Sequence, residues 1–190
     1  MKNRQDLQIL LQKEKETYFG KNSIRFDYKY RKTMKYEIYR YISLLRKYEY
    51  YCSMRDHCKN SLIAKYWIVR IKMCDRKKNK IGMMLGIEIV PNYVASGVRI
   101  CHQNVIINGY VGENCIFHGN NVIGNKRTGA SKEIPTLGSN VDVGVGAMVI
   151  GDVKIADDCI IGAGAVVTKS FLEPGTVIAG VPARSIGKRA

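Results

Sequence analysis

From residue 137 onward an aliphatic residue returns at every sixth position: Leu137, Val143, Val149, Ile155, Ile161 and Val167. Four positions after each comes a second inward candidate: Val141, Ala147, Val153, Cys159, Ala165 and Phe171. A helix would space its apolar residues three and four apart, and a half-buried strand would alternate every two. A strict period of six fits neither; it marks a repeat architecture, the parallel β-helix. Three hexapeptides would close one triangular coil, with both residues of each hexapeptide turned into the prism. The period resumes upstream at Val111, Phe117 and Ile123, and less cleanly at Val94 and Ile100. Residues 125–135, "NKRTGASKEIP", break the step and are expected to leave the prism as a loop.

The first half reads differently. "TMKYEIYRYISLLRKYEYYCSMRDH" mixes apolar and basic residues at helical spacing without Gly or Pro. The pattern predicts helices over about 3–16, 33–55 and 59–75, with "YFGKNSIRF" as a break carried by Gly20 and Asn22. Charge separates the halves as sharply as periodicity does. Residues 1–80 hold 22 of the 31 basic and 8 of the 16 acidic residues, whereas residues 81–190 hold 9 and 8. The expected organisation is therefore a basic α-helical region over 1–80 and a β-helix over 81–190, divided near "CDRKKNKIG".

Ten of the twelve tyrosines fall before residue 81, among these basic helices and their connections. One reading is a surface for an anionic membrane or an acidic polymer; the other is helices packing on each other with a solvated cationic face. Nucleic acid is not expected as a partner, because nothing here matches a recognised nucleic-acid module. The opening "MKNRQDLQILLQKEKE" is charged throughout, so a secretory leader is not expected. No apolar run approaches a membrane span. Cys115 and Cys159 fall at inward positions, and Cys52, Cys58, Cys74 and Cys101 show no metal-ligand spacing. Buried thiols in a cytoplasmic protein are the expectation, with the inner face of the membrane as the alternative place.

Four stretches carry a family resemblance: "GIEIVPNYVASGVRICH", "VGENCIFHGNNVIGN", "GVGAMVIGDVKIADDCIIGAGAVVTKS" and "PGTVIAGVPARSIGK". Over about residues 86–188 they resemble the left-handed β-helix acyltransferases of the hexapeptide-repeat family, most of all the serine acetyltransferase branch. The resemblance implies a left-handed parallel β-helix with an α-helical N-terminal region. It also implies acetyl-coenzyme A as co-substrate without a metal, and homotrimers or dimers of trimers with active sites in grooves between subunits. Gly124, Gly146, Ala147, Gly164 and Ala165 match the small residues along the cofactor groove, although tight coil corners need such residues too. Lys169, Arg184 and Lys188 are candidates for the cofactor's phosphates.

Acetyl transfer to a hydroxyl needs a base, something to orient that base, and donors for the oxyanion. By resemblance the base is His102, and Glu88 stands where the branch has its acidic partner, one residue closer and one methylene longer. A carboxylate on one imidazole nitrogen would fix the tautomer and leave the other nitrogen free. His118 in "CIFHGNN" is the rival base or an acceptor-pocket residue, whereas His57 beside Asp56 reads as a surface residue. Cys101 replaces the acidic residue that precedes the family's histidine, and Glu133 and Ile134 replace an arginine and a histidine that help hold the amino acid. Lys126 and Arg127 are then the candidates for an alternative acceptor cation. Serine is the acceptor by resemblance, and a sugar hydroxyl on a capsule or exopolysaccharide precursor fits the departures. A scaffold or zinc trimer is the reading of another class; it would need about three converging histidines per site.

Overall fold

The computed structural model describes residues 3–21, 33–127 and 133–189. The chain divides into two compact units, Met1–Leu85 and Gly86–Ala190.

Among the described residues the first unit holds α1 (Arg4–Phe19), α2 (Met34–Asp56) and α3 (Ser61–Leu85). Asn3 and Asp6 cap α1 reciprocally, and the Thr33 side chain accepts from the Tyr36 amide at the start of α2. Gly20 ends α1 at φ +78°, as the predicted break requires; Asn22 lies outside the described residues. The third helix runs ten residues past its predicted end, and the units divide five residues beyond the predicted boundary. The basic stretch "CDRKKNK" contains no Gly or Pro and is rich in Lys and Arg, which propagate a helix well. Its density of charge reads as a linker only if helix propensity is ignored.

The tyrosines are largely packing residues. Tyr50 and Tyr51 pack with Leu7, Cys74 and Trp67, and the Tyr51 and Trp67 rings stack at 5.8 Å. Arg46, only 2% exposed, crosses to α1, where its Nε donates to Glu14 Oε1 at 2.9 Å; its guanidinium also reaches Glu49 at 3.3 Å. Lys78 is buried too, paired with Asp75 and lying over the Tyr48 ring. Part of the basic excess is therefore internal to the bundle.

The second unit is the left-handed parallel β-helix. Among the described residues its fourteen short strands form three faces. The first stacks β1 (Ile87–Ile89), β3 (Val105–Ile107), β6 (Asn121–Gly124), β9 (Met148–Ile150) and β12 (Val166–Val167). The second stacks β4 (Tyr110–Val111), β7 (Thr136–Leu137) and β10 (Lys154–Ile155). The third stacks β2 (Arg99–Ile100), β5 (Ile116–Phe117), β8 (Asp142–Val143), β11 (Ile160–Ile161) and β13 (Thr176–Ala179), closed by antiparallel β14 (Arg184–Lys188).

The register explains the period. Asp142 pairs with Ile160 and Met148 with Val166, so one coil takes three hexapeptides, as expected. Every inward residue identified from the sixfold step is buried, from Val94 and Ile100 to Val167 and Phe171. Between β6 and β7 the chain departs from the coil at Asn125 and rejoins by Pro135; residues 128–132 of the expected loop lie outside the described residues.

All six cysteines are free thiols, but Cys52, Cys58 and Cys101 are only half-buried. The Cys115 thiol, fully enclosed and donating to the Gly138 carbonyl at 3.2 Å, is pushed by burial up to about 11. An unfolded thiol ionises near about 8.5, so the folded state holds this proton longer. The linked stability is fully present below that value and is lost as pH rises through about 11. Cys115→Ala should therefore flatten the alkaline decline in β-helix stability by about 3 kcal/mol, read from denaturant midpoints between neutral and alkaline pH.

Candidate functional site

The site is assembled by one corner of the prism, where the third face turns into the first. Ile100 pairs with Phe117 and Phe117 with Val143, which places Cys101 and His118 on neighbouring coils, one residue past each inward position. The Cys101 amide donates to the Phe117 carbonyl at 2.8 Å and the His118 amide to the Val143 carbonyl at 3.0 Å. His102 follows on the upper coil, its Cβ against the space above Gly119. His102 and His118 then face one open recess with Gly144, Val145 and Ala163.

His118 Nε2 lies 2.8 Å from Asp142 Oδ1, with 45% and 32% of the two side chains exposed. The pair is thus at the surface, where an acceptor can reach it. With Nε2–H donating to the carboxylate, Nδ1 keeps its lone pair and can take a proton. His118, the rival of His102 in the sequence, is thus the histidine that forms a carboxylate–imidazole pair.

The expected pairing of Glu88 with His102 is not formed: no hydrogen bond or ion pair joins them among the described residues. The register gives the reason. Glu88 stands opposite Ile106 in the middle of a strand on the first face, while His102 precedes that face at the corner.

Asn121 holds the corner in shape. It takes an inward position four after Phe117, fully buried, where most coils place a small or apolar residue. Its Oδ1 accepts from the Gly119 amide at 2.9 Å, and its Nδ2 donates to the Gly144 carbonyl at 2.8 Å and the Ala147 carbonyl at 3.2 Å. Both walls around His118 are tied to one side chain. A buried amide in an aliphatic repeat is a readable signal that the sixfold pattern alone passes over.

Below the histidines the corner becomes bare. Asn104, Asn120, Gly146 and Gly164 share one column and one left-handed conformation, at φ +59°, +54°, +72° and +66°. Asn104 and Asn120 ladder by a 3.0 Å amide bond. Asn tolerates this conformation nearly as well as Gly, so the backbone alone does not demand glycine. A Cβ at Gly164 would meet nothing within 4 Å, and at Gly146 only Gly164. The two glycines therefore leave an uncovered ledge running from the histidine recess.

The other expected site residues are dispersed within the chain. The side chains of Ala147 and Ala165 are fully buried in the prism and cannot line a groove; only their backbone is available there. Gly124, Lys126 and Arg127 lie at or beyond the far end of β6, the opposite end of the first face from the histidines. Lys169 is exposed over the Phe171 ring, and Arg184 is exposed on β14. Lys188 is engaged in the closing tail, on Glu173 at 2.6 Å and the Pro174 carbonyl. Cys101 is half-buried and does not line the recess. His57 is exposed, its Nδ1 2.7 Å from the Ser53 carbonyl. Among the described residues no group of three or more His, Cys, Asp or Glu is placed to hold a metal ion.

Residues 135–169 match the family model "Bacterial transferase hexapeptide (six repeats)". The chain is 37% identical over 111 residues to a serine acetyltransferase of Mycobacterium tuberculosis, covering 56% of this chain and 48% of that protein. It is 34% identical over 128 residues to a serine acetyltransferase of Synechococcus elongatus, covering 64% and 52%. The chain thus spans about half the length of these curated relatives. Its fold is that of a crystal structure of serine acetyltransferase from Brucella abortus, at TM-score 0.71 and 20% identity over 98% of this chain and 71% of that one. A soybean serine acetyltransferase apoenzyme superposes at TM-score 0.70 and 17% identity, over 96% and 69%. Sequence and fold together place the chain as a hexapeptide-repeat protein similar to serine acetyltransferases.

Proposed function

We propose that the chain transfers an acetyl group from acetyl-coenzyme A to an acceptor hydroxyl, with His118 as general base and Asp142 as the residue that orients it. The observation carrying this reading is the 2.8 Å His118–Asp142 pair opening on a recess that it shares with His102. His118 Nδ1 takes the alcohol proton as the oxygen attacks the thioester carbon; the carbon–sulfur bond then breaks and the thiol leaves with a proton. Asp142 stabilises the imidazolium formed on the way. His102, across the recess, is placed to donate toward the acceptor or the developing oxyanion. It is also the second candidate for the base, since it occupies the position that the serine acetyltransferase resemblance assigns. The bare ledge at Gly146 and Gly164 suits an extended thiol cofactor approaching along the corner.

The active assembly in this reading is a trimer or a dimer of trimers. Ile106, Val122, Met148 and Val166 form one outward column across successive strands of the first face, with Ile106 43% and Met148 39% exposed. Closed rotational symmetry would cover such a column on every copy. Light scattering should then give a mass that is a multiple of three chains, and a monomer at micromolar concentration would sink the intersubunit site.

The direct test follows free thiol release from acetyl-coenzyme A with serine, homoserine and cell-envelope sugars as acceptors. Acetyl-coenzyme A should also raise the melting temperature, and Gly164→Val, placed on the ledge, should weaken that protection. If no coenzyme A species shifts the melting temperature and no acceptor releases thiol, the proposal is wrong.

A further inference from the structure

We propose that the outward face of α3 docks on the surface of an anionic lipid bilayer. Leu62, Tyr66, Val69 and Met73 recur at intervals of four, three and four, so they lie along one line of the helix. They are 73%, 52%, 55% and 53% exposed. The line continues across Lys80 to Met84, whereas Cys74, Lys78, Ile81 and Leu85 are buried on another face. At about 100° per residue, Lys65, Lys72 and Arg76 border the line on one side and Arg70 and Lys77 on the other. All five are exposed. Arg70 is braced there, donating to the Tyr51 hydroxyl at 2.6 Å with its guanidinium 5.9 Å from the Tyr66 ring.

An exposed apolar ridge of this kind calls for a partner, and its charge selects which. The one acidic residue of α3, Asp75, lies off the ridge and is paired with Lys78. A second copy of the helix would set one row of cations against another with no carboxylate to answer it. An anionic bilayer accepts both parts at once. The ridge enters the headgroup–acyl boundary, and the long Lys and Arg stems on either side carry their charges out to lipid phosphates. The binding is superficial, since no described helix is long and apolar enough to cross a membrane.

The test is flotation of the full chain with vesicles of phosphatidylcholine, with and without about a third phosphatidylglycerol. Wild-type protein should float with the anionic vesicles at least about tenfold better than with the neutral ones, and less well in high salt. Lys65→Glu/Lys72→Glu/Arg76→Glu should abolish the binding, a loss of about a hundredfold or more. Leu62→Ser/Val69→Ser/Met73→Ser should also lose most of it, with unchanged solution mass and unchanged helicity; these side chains are exposed, so folding should tolerate the change. Equal flotation with neutral and anionic vesicles, or none, overturns the proposal. So does a serine variant that still floats, which would mean charge adsorption without insertion. A fall in oligomeric mass in that variant overturns it as well, because a copy of the chain would then own the ridge.

Discussion

His118→Ala should lower the acetyl-transfer rate by at least about 100-fold, the lower end of what a positioned general base contributes, while leaving thermal protection by acetyl-coenzyme A intact. The base acts on the acceptor, so the cofactor should still bind. Asp142→Asn keeps shape and removes the charge. It should also reverse the ring's preference, because an amide nitrogen turned toward Nε2 makes that nitrogen the acceptor and moves the proton to Nδ1. The rate should fall toward that of the alanine variant, with KM for the acceptor little changed and the pH–rate profile altered. A residue that merely filled space would leave that profile alone. His102→Ala discriminates the alternatives: a moderate loss expressed mainly in acceptor KM fits a binding role. If His102→Ala abolishes turnover and His118→Ala does not, the base is His102, and the His118–Asp142 pair is only a surface ion pair.

The prism was legible because its period is set by geometry that sequence cannot disguise: all the sixfold residues from Val94 to Phe171 are inward. The site was legible only in part. Both histidines could be found, because each lies one or two residues past an inward position at a coil corner. Which carboxylate meets which histidine depends on register across the insertion between β6 and β7. That insertion puts Asp142 opposite Ile116, twenty-six residues away instead of eighteen. The resemblance pointed to Glu88, which here stands mid-strand opposite Ile106. The alanines mislead for a related reason. Ala147 and Ala165 belong to the inward set of the period itself, and only the glycine preceding each stands on the outside of the corner. In the helical unit, composition hid the structure. A net basic, tyrosine-rich segment looks like a surface, yet Arg46 and Tyr51 are interior, and the exposed ridge of α3 carries one tyrosine, Tyr66, among Leu62, Val69 and Met73.

Arg46→Met should destabilise the helical unit by about 3–5 kcal/mol, the typical cost of breaking a buried ion pair from one side. The guanidinium is 2% exposed and its Nε and a terminal nitrogen serve Glu14 and Glu49, which are 0% and 5% exposed. Removing it takes from Glu14 on α1 and Glu49 on α2 a cationic partner deep in the bundle. Arg46→Lys should recover only part of the loss, because a single ammonium cannot reproduce the forked donors that hold two acids at once. Glu14→Leu/Arg46→Met/Glu49→Leu should by contrast come back near wild-type stability or above it, since apolar contacts replace an ion cluster that was expensive to desolvate. The single tryptophan, Trp67, sits in this unit against Tyr50 and Tyr51, so its fluorescence in a urea titration of the full chain reports the helices and not the prism. A wild-type midpoint for Arg46→Met would mean that the guanidinium is not buried between the two carboxylates in solution. A triple variant as unstable as the single one would show that the cluster's geometry, and not its uncompensated charge, supports the bundle.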